Sequence, residues 1–121
     1  MGEGGKHMNE LKFRAWCVAG MIPVTALHWE LGELSGVELA DGDARPINQV
    51  TLMQSTGLKD KNGVEIFEGD IMKCIRNDTD TGDYELIATV ESAGNIPFEM
   101  VGSDLVSREV IGNIYEKGEK I

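Results

Sequence analysis

Apolar residues fall in short runs along this chain, and each run is closed by a cluster of turn-forming residues. From Glu65 onward the runs are EIF, IMKCI, ELIATV, PFEMV and REVIGNIY, separated by EGD, NDTDTGD, SAGN and GSD. Runs of about four to eight residues at that spacing predict the antiparallel strands of a sandwich or barrel. Helices are disfavoured by the 15 glycines, because each interior glycine costs on the order of 1 kcal/mol against alanine. The glycine-free stretch from Asp83 to Ala93 has the length of a short helix, but its β-branched and aromatic content suits a strand.

Two hairpins are legible. In Leu58 to Ile66 (LKDKNGVEI), Asn62-Gly63 supplies the positive backbone dihedrals of a tight reversal between apolar flanks. Glu68-Gly69-Asp70 then redirects the chain into Ile71 to Arg76. Tyr84 to Val90 and Phe98 to Val101 bracket Gly94-Asn95, which predicts the second hairpin. Upstream, Phe13 to Val18, Leu27 to Leu31 and Gly36 to Leu39 read as strands, and Ala44 to Val50 as a short helical turn. The expected fold is mainly β, with antiparallel strands forming a barrel-like core and short helical turns, in a single small domain over residues 8–121. Residues 1–7, MGEGGKH, are glycine-rich and polar; they read as an expression leader outside that domain, which leaves His7 uninformative.

Composition keeps this picture and narrows the chemistry. With 41% hydrophobic and 26% charged residues on 121 positions the chain is globular in character, and about two-thirds of its surface is buried on folding at this size, enough for one core. Two cysteines, Cys17 and Cys74, are too few for a disulfide scaffold and lack CxxC spacing, so both read as free buried thiols. Ala15 to Leu27 fails as a secretion signal because Pro23 interrupts it and charged residues stand well upstream. No run approaches the roughly 18–20 apolar residues of a membrane-spanning helix. A cytoplasmic chain is the expectation.

Candidate chemistry is sparse. The acidic loop Asn77 to Asp83 (NDTDTGD) places Asp78, Asp80 and Asp83 where oxygen ligands could converge on calcium. The loop misses the helical calcium motif, however: Gly82 comes one place early and Thr89 stands where a bidentate glutamate belongs. A solvated hairpin loop is the favoured reading, and no metal or other cofactor is expected. Setting His7 aside, His28 is the remaining histidine, which removes histidine pairs and multi-histidine metal sites. No serine sits in a G-x-S-x-G elbow, and neither G-x-x-x-x-G-K-[ST] nor a strand-borne G-x-G-x-x-G occurs. Trp16, Trp29, Tyr84 and Tyr115 could stack on bases, but each lies among aliphatic strand residues and reads as core or half-core.

The segment Leu52 to Lys73 (LMQSTGLKDKNGVEIFEGDIMK), with Lys12 to Trp16 (KFRAW) and Glu109 to Glu116 (EVIGNIYE), resembles the YopX-like family of small bacteriophage and prophage proteins. The resemblance implies a β-rich domain with a barrel-like core, phage or prophage origin, and no established activity. It carries over motif positions rather than catalytic ones: Thr56, Gly57, Leu58, Asp60, Asn62 and Gly63, then Glu68, Gly69 and Asp70, then Gly112, Asn113 and Tyr115. Their physical reading is structural. Gly63 and Gly69 adopt backbone conformations that a β-carbon opposes, Asp60 and Asp70 bond nearby amides, and Ile66, Ile71, Ile111 and Ile114 supply core.

Net charge ranks the remaining functions. The chain carries 11 basic and 21 acidic residues, net −10. Residues 1–57 hold 4 bases and 7 acids (net −3), and residues 58–121 hold 7 and 14 (net −7). The half with the clearest barrel signature is the more acidic, and phosphate contacts need a basic face, so a nucleic-acid-binding barrel is the second choice. The first is a non-enzymatic phage accessory protein that binds a host or phage protein, its acidity favouring basic partners. A metal-dependent enzyme comes third, since 21 acids permit a carboxylate pair but none is singled out. Edge strands leave a homo-oligomer open, with Glu65, Glu85, Glu91 and Glu99 as charged guards.

Overall fold

In β7, Asp70–Asp78, the sequence alternates so that Met72, Cys74 and Arg76 turn inward while Lys73 and Ile75 turn outward. This two-residue period governs a computed structural model that describes residues 12–116; the expected leader, 1–7, lies outside the described residues. Described strands are β1 Phe13–Cys17, β2 Gly20–Glu30, β3 Glu33–Leu39, β4 Ala44–Pro46, β5 Thr51–Lys59, β6 Glu65–Phe67, β7, β8 Gly82–Thr89 and β9 Leu105–Asn113. Single 3-10 turns occupy Ile47–Gln49 and Phe98–Met100. The fold is mainly β and antiparallel throughout. Among the described residues, no helix is long and apolar enough to cross a membrane.

The chain gathers into two compact units, one ending at Gln54 and one beginning at Ser55. In the first, strands lie in the order β4-β3-β2-β1-β5. Ala15, Cys17, Val37 and Leu39 form its core, flanked by Ile22, Val24, Leu27, Ile47, Val50 and Leu52. The strand expected at Leu27 to Leu31 starts earlier, at Gly20, and runs through Pro23, which stands opposite Arg14 of β1; its pairing with β3 shifts register between Val24 and Ala26. β2 and β3 are joined by a two-residue turn in which Leu31 (φ 53°) and Gly32 (φ 83°) both have positive φ, flanked by the pair Glu30 and Glu33.

In the second unit the latter half of β5 pairs with β6, and a three-stranded sheet has the order β8-β7-β9. Ile66, Met72, Cys74, Val90 and Met100 are its buried centre, with Leu58, Ile96, Leu105 and Val110 packed around them. The barrel-like core expected from the spacing does not close: among the described residues β8 and β9 each pair only with β7. Phe98 to Val101, expected to be a strand, contains a 3-10 turn that follows Pro97. Arg76 Nη1 donates to the carbonyls of Phe98 and Val101, both at 2.7 Å, so these acceptors serve a side chain instead of a sheet ladder.

Two further expectations are corrected. Ile66 and Ile71 are buried, but Ile111 and Ile114 are about half exposed. The register shift opposite Ile71 and Met72 pairs Gly112 and Val110 with β7 and leaves Ile111 as the extra residue of a bulge. Trp29 and Tyr84 are exposed, Trp29 toward the end of β2 and Tyr84 on the edge strand β8. In urea unfolding, Met72→Ala is expected to cost about 2–5 kcal/mol because Met72 is fully buried, and Ile87→Ala, half exposed on β8, less than ~1 kcal/mol. Equal losses at the two positions would contradict the assignment of the sheet's inner face.

Candidate functional site

The motif residues converge through hydrogen bonds around Asp60. Its main chain closes the turn after β5: the amide donates to the Val64 carbonyl (2.9 Å) and the carbonyl accepts from Gly63 (3.0 Å). Asp60 Oδ1 also accepts from the amides of Asn62 (2.8 Å) and Val64 (2.9 Å). Gly63 has φ 82°, whereas Asn62 does not share the positive φ expected for it. A side-chain cap and one left-handed glycine therefore make the reversal, the arrangement of a turn ending in a glycine bulge.

The other carboxylate oxygen reaches across the unit. Asp60 Oδ2 accepts from the Val110 amide at 3.0 Å, joining the turn to β9. Lys61 N donates to the Arg108 carbonyl (2.9 Å), and Arg108 returns Nε to the Lys59 carbonyl (3.0 Å) and Nη1 to that of Met100 (3.1 Å). Burial pushes the Asp60 carboxyl upward, but the Val110, Val64 and Asn62 amides, with Lys61 nearby, outweigh it and hold the group below its ordinary value. The negative charge on Asp60 is thus part of the fold.

The remaining motif positions join the same framework. Thr56 Oγ1 donates to the Ile66 carbonyl (2.8 Å) and accepts from Leu58 N (3.1 Å), while Gly57, with φ 82°, donates to Ser55 Oγ. Leu58 packs on the core. Glu68 Oε2 accepts from Ala93 N (2.8 Å), and Asp70 Oδ2 from Phe67 N (2.8 Å). Gly69 has φ 91°, donates to the Val90 carbonyl and accepts from Ile114 N. Gly112 stands opposite Ile71, and Asn113 Oδ1 caps the amides of Tyr115 and Glu116.

The other candidates remain apart from this framework. Asp78, Asp80 and Asp83 lie in the exposed β7–β8 turn, where Asp78 accepts from the Asp80 amide and Asp83 from Asn77 Nδ2. No group of three or more His, Cys, Asp and Glu able to hold a metal occurs among the described residues. His28 is half exposed and faces Glu38 Oε2 at 3.1 Å. Cys17 and Cys74 are free and buried. Burial, reinforced by Glu99, pushes the Cys74 thiol up against the opposing pull of Arg76 and Arg108, which disfavours a reactive thiolate.

Three features escaped the sequence reading. Arg76 and Arg108 turn inward to carbonyls, and Arg76 also pairs with Asp104. Between these arginines, Asn77 to Ser107 contains Asp78, Asp80, Asp83, Glu85, Glu91, Glu99 and Asp104 but no lysine or arginine. The net −7 of residues 58–121 averages over that base-free segment. The third is Leu31, fully exposed in the positive-φ turn beside exposed Trp29; the Leu-Gly pair carries a weaker turn signal than Asn-Gly.

The model of the YopX protein family matches residues 12–121. The chain is also similar to protein EF1440 from Enterococcus faecalis, whose crystal structure aligns with a TM-score of 0.53 at 28% identity, covering 92% of this chain and 97% of that one. No curated protein matches it.

Asp60→Asn is expected to lower stability at neutral pH by about 1–3 kcal/mol, since the new amide group opposes the Val110 N–H. The pH dependence has a defined sign. With a folded pKa below the ordinary 3.8, Asp60 contributes stability above that value, and the contribution is lost as pH falls through the folded pKa. Urea midpoints measured from neutral to acid pH should converge for the two proteins; a constant gap would remove Asp60 from the acid transition.

Proposed function

We propose that this chain, which belongs to the YopX family, is a non-enzymatic protein-binding module. It serves as a phage or prophage accessory protein in the cytoplasm of a bacterial host, with a host or phage protein as partner. The observation that carries this reading is the β2–β3 tip, where Leu31 is fully exposed at φ 53° and Trp29 is 61% exposed. A non-glycine residue in the left-handed region costs roughly 1–2 kcal/mol. Leu31 receives no compensating burial within the described chain. Strain of this kind supports a surface used outside the chain, and an exposed tryptophan beside a leucine supplies the apolar anchor common at protein interfaces. The negative charge of the chain adds long-range attraction to a basic partner.

Two substitutions separate binding from folding. Leu31→Gly relieves the positive-φ cost, so its melting temperature should equal or exceed that of the wild type, while Trp29→Ser removes the aromatic anchor. With the full chain as bait in extract from phage-infected host cells, one discrete protein should be enriched by the wild type and at least ~10-fold less by either variant, as expected for interfacial anchors. Enrichment no greater than that of an empty-resin control, or equal capture by all three chains, refutes the proposal.

A further inference from the structure

The main chain of β8 presents an unused edge. Asn77 N donates to the Asp104 carbonyl (2.9 Å), beside the β9 end of β7, whereas the Asp70 carbonyl accepts from Val90 N (2.9 Å), just beyond β8. Hydrogen-bonding sides alternate along an antiparallel strand. Odd-numbered residues of β7 therefore bond toward β9 and even-numbered ones toward β8. The register pairs Met72, Cys74 and Arg76 with Ala88, Leu86 and Tyr84. It follows that Asp83, Glu85, Ile87 and Thr89 direct their N–H and C=O groups away from β7. Among the described residues, no strand pairs on that side of β8.

The chemistry of the edge selects an occupant. Asp83, Glu85, Ile87 and Thr89 are all exposed and, by the period of the strand, share one face. An added antiparallel strand would set alternate side chains directly across from them. The edge lies wholly within the base-free segment Asn77 to Ser107. Lys73, across from Ile87 in the register, is one strand inward and has Glu109 on its other side. A second copy would bring another base-free acidic segment against this one, whereas an extended segment with lysine or arginine at alternate positions would meet Asp83 and Glu85 with opposite charge.

We propose that the β8 edge, Asp83 to Thr89, binds an extended basic protein segment by adding it to the sheet as a strand antiparallel to β8. This surface is separate from the β2–β3 tip and goes beyond the reading based on it. Recognition divides in two: outward main-chain groups hold the segment, while Asp83 and Glu85 select basic side chains. Proline at Ile87 would remove an outward N–H while sparing a donor used toward β7.

Amide hydrogen exchange on the full chain tests this directly, with a short peptide alternating lysine and valine as probe and its glutamate–valine counterpart as control. The lysine peptide should slow exchange at Asp83, Glu85, Ile87 and Thr89. Ile87→Pro, and separately Asp83→Lys combined with Glu85→Lys, should each weaken its affinity by roughly tenfold or more. Leu31→Gly should leave it unchanged, so the tip and edge assignments fail or stand separately. The proposal is overturned if the lysine peptide gives no new protection at these amides, including the case in which it binds elsewhere. Equal protection by the glutamate peptide would also overturn it, as would protection that appears without peptide when the protein is concentrated, since the edge would then belong to a second copy.

Discussion

A buried carboxylate must be satisfied where it lies, and in the second unit Asp60 does this through amides from two parts of the chain. Its oxygens accept from Asn62 and Val64 in its own turn and from Val110 on β9, 50 residues away. The constraint acts in both directions. The carboxylate needs those donors to remain charged under burial, and the turn and β9 need its two oxygens to stay in register. The Lys61–Arg108 and Gly69–Ile114 main-chain bonds reinforce the same association of β5, β6 and β9 with the start of β7.

The two inward arginines explain why the surrounding surface is so one-sided in charge. Arg76 and Arg108 direct donors to the carbonyls of Phe98, Val101, Lys59 and Met100, and thereby fix the 3-10 turn and the end of β5. A guanidinium suits this task because several donors in a planar fork can reach several acceptors at once. Arg76 is buried and Arg108 half-buried, and donors of both are committed to main-chain carbonyls. The segment between them has only acidic side chains to present, apart from neutral ones.

Much of the strand plan was legible. EIF, IMKCI, ELIATV and REVIGNIY all fall in or across β6 to β9, because short apolar runs punctuated by turn residues report directly on strands. Gly63 and Gly69 were legible as left-handed positions, and Asp60 and Asp70 as acceptors of nearby amides. PFEMV looked like another strand by the same criterion. Its fate depended on Arg76, more than 20 residues earlier in the chain, which no local pattern contains. The apparent core residue Ile111 likewise turned outward through a bulge defined by the partner strand, and Ile114, just past the end of β9, is also about half exposed.

By itself the sequence determined the β class, the position of most turns, the family motifs and the sign of the charge, since each follows from local stereochemistry or composition. Tertiary structure decided that the sheets stay open, that Asp60 bonds Val110, that Leu31 is strained and exposed, and that β8 is an edge. The physical reason is that strand neighbours and bulges are set by hydrogen bonds between residues distant in sequence, and the face of every side chain follows from that pairing. Acidity read from the sequence was an amount. Pairing turned it into a place: a row of outward amides and carbonyls lined by Asp83 and Glu85.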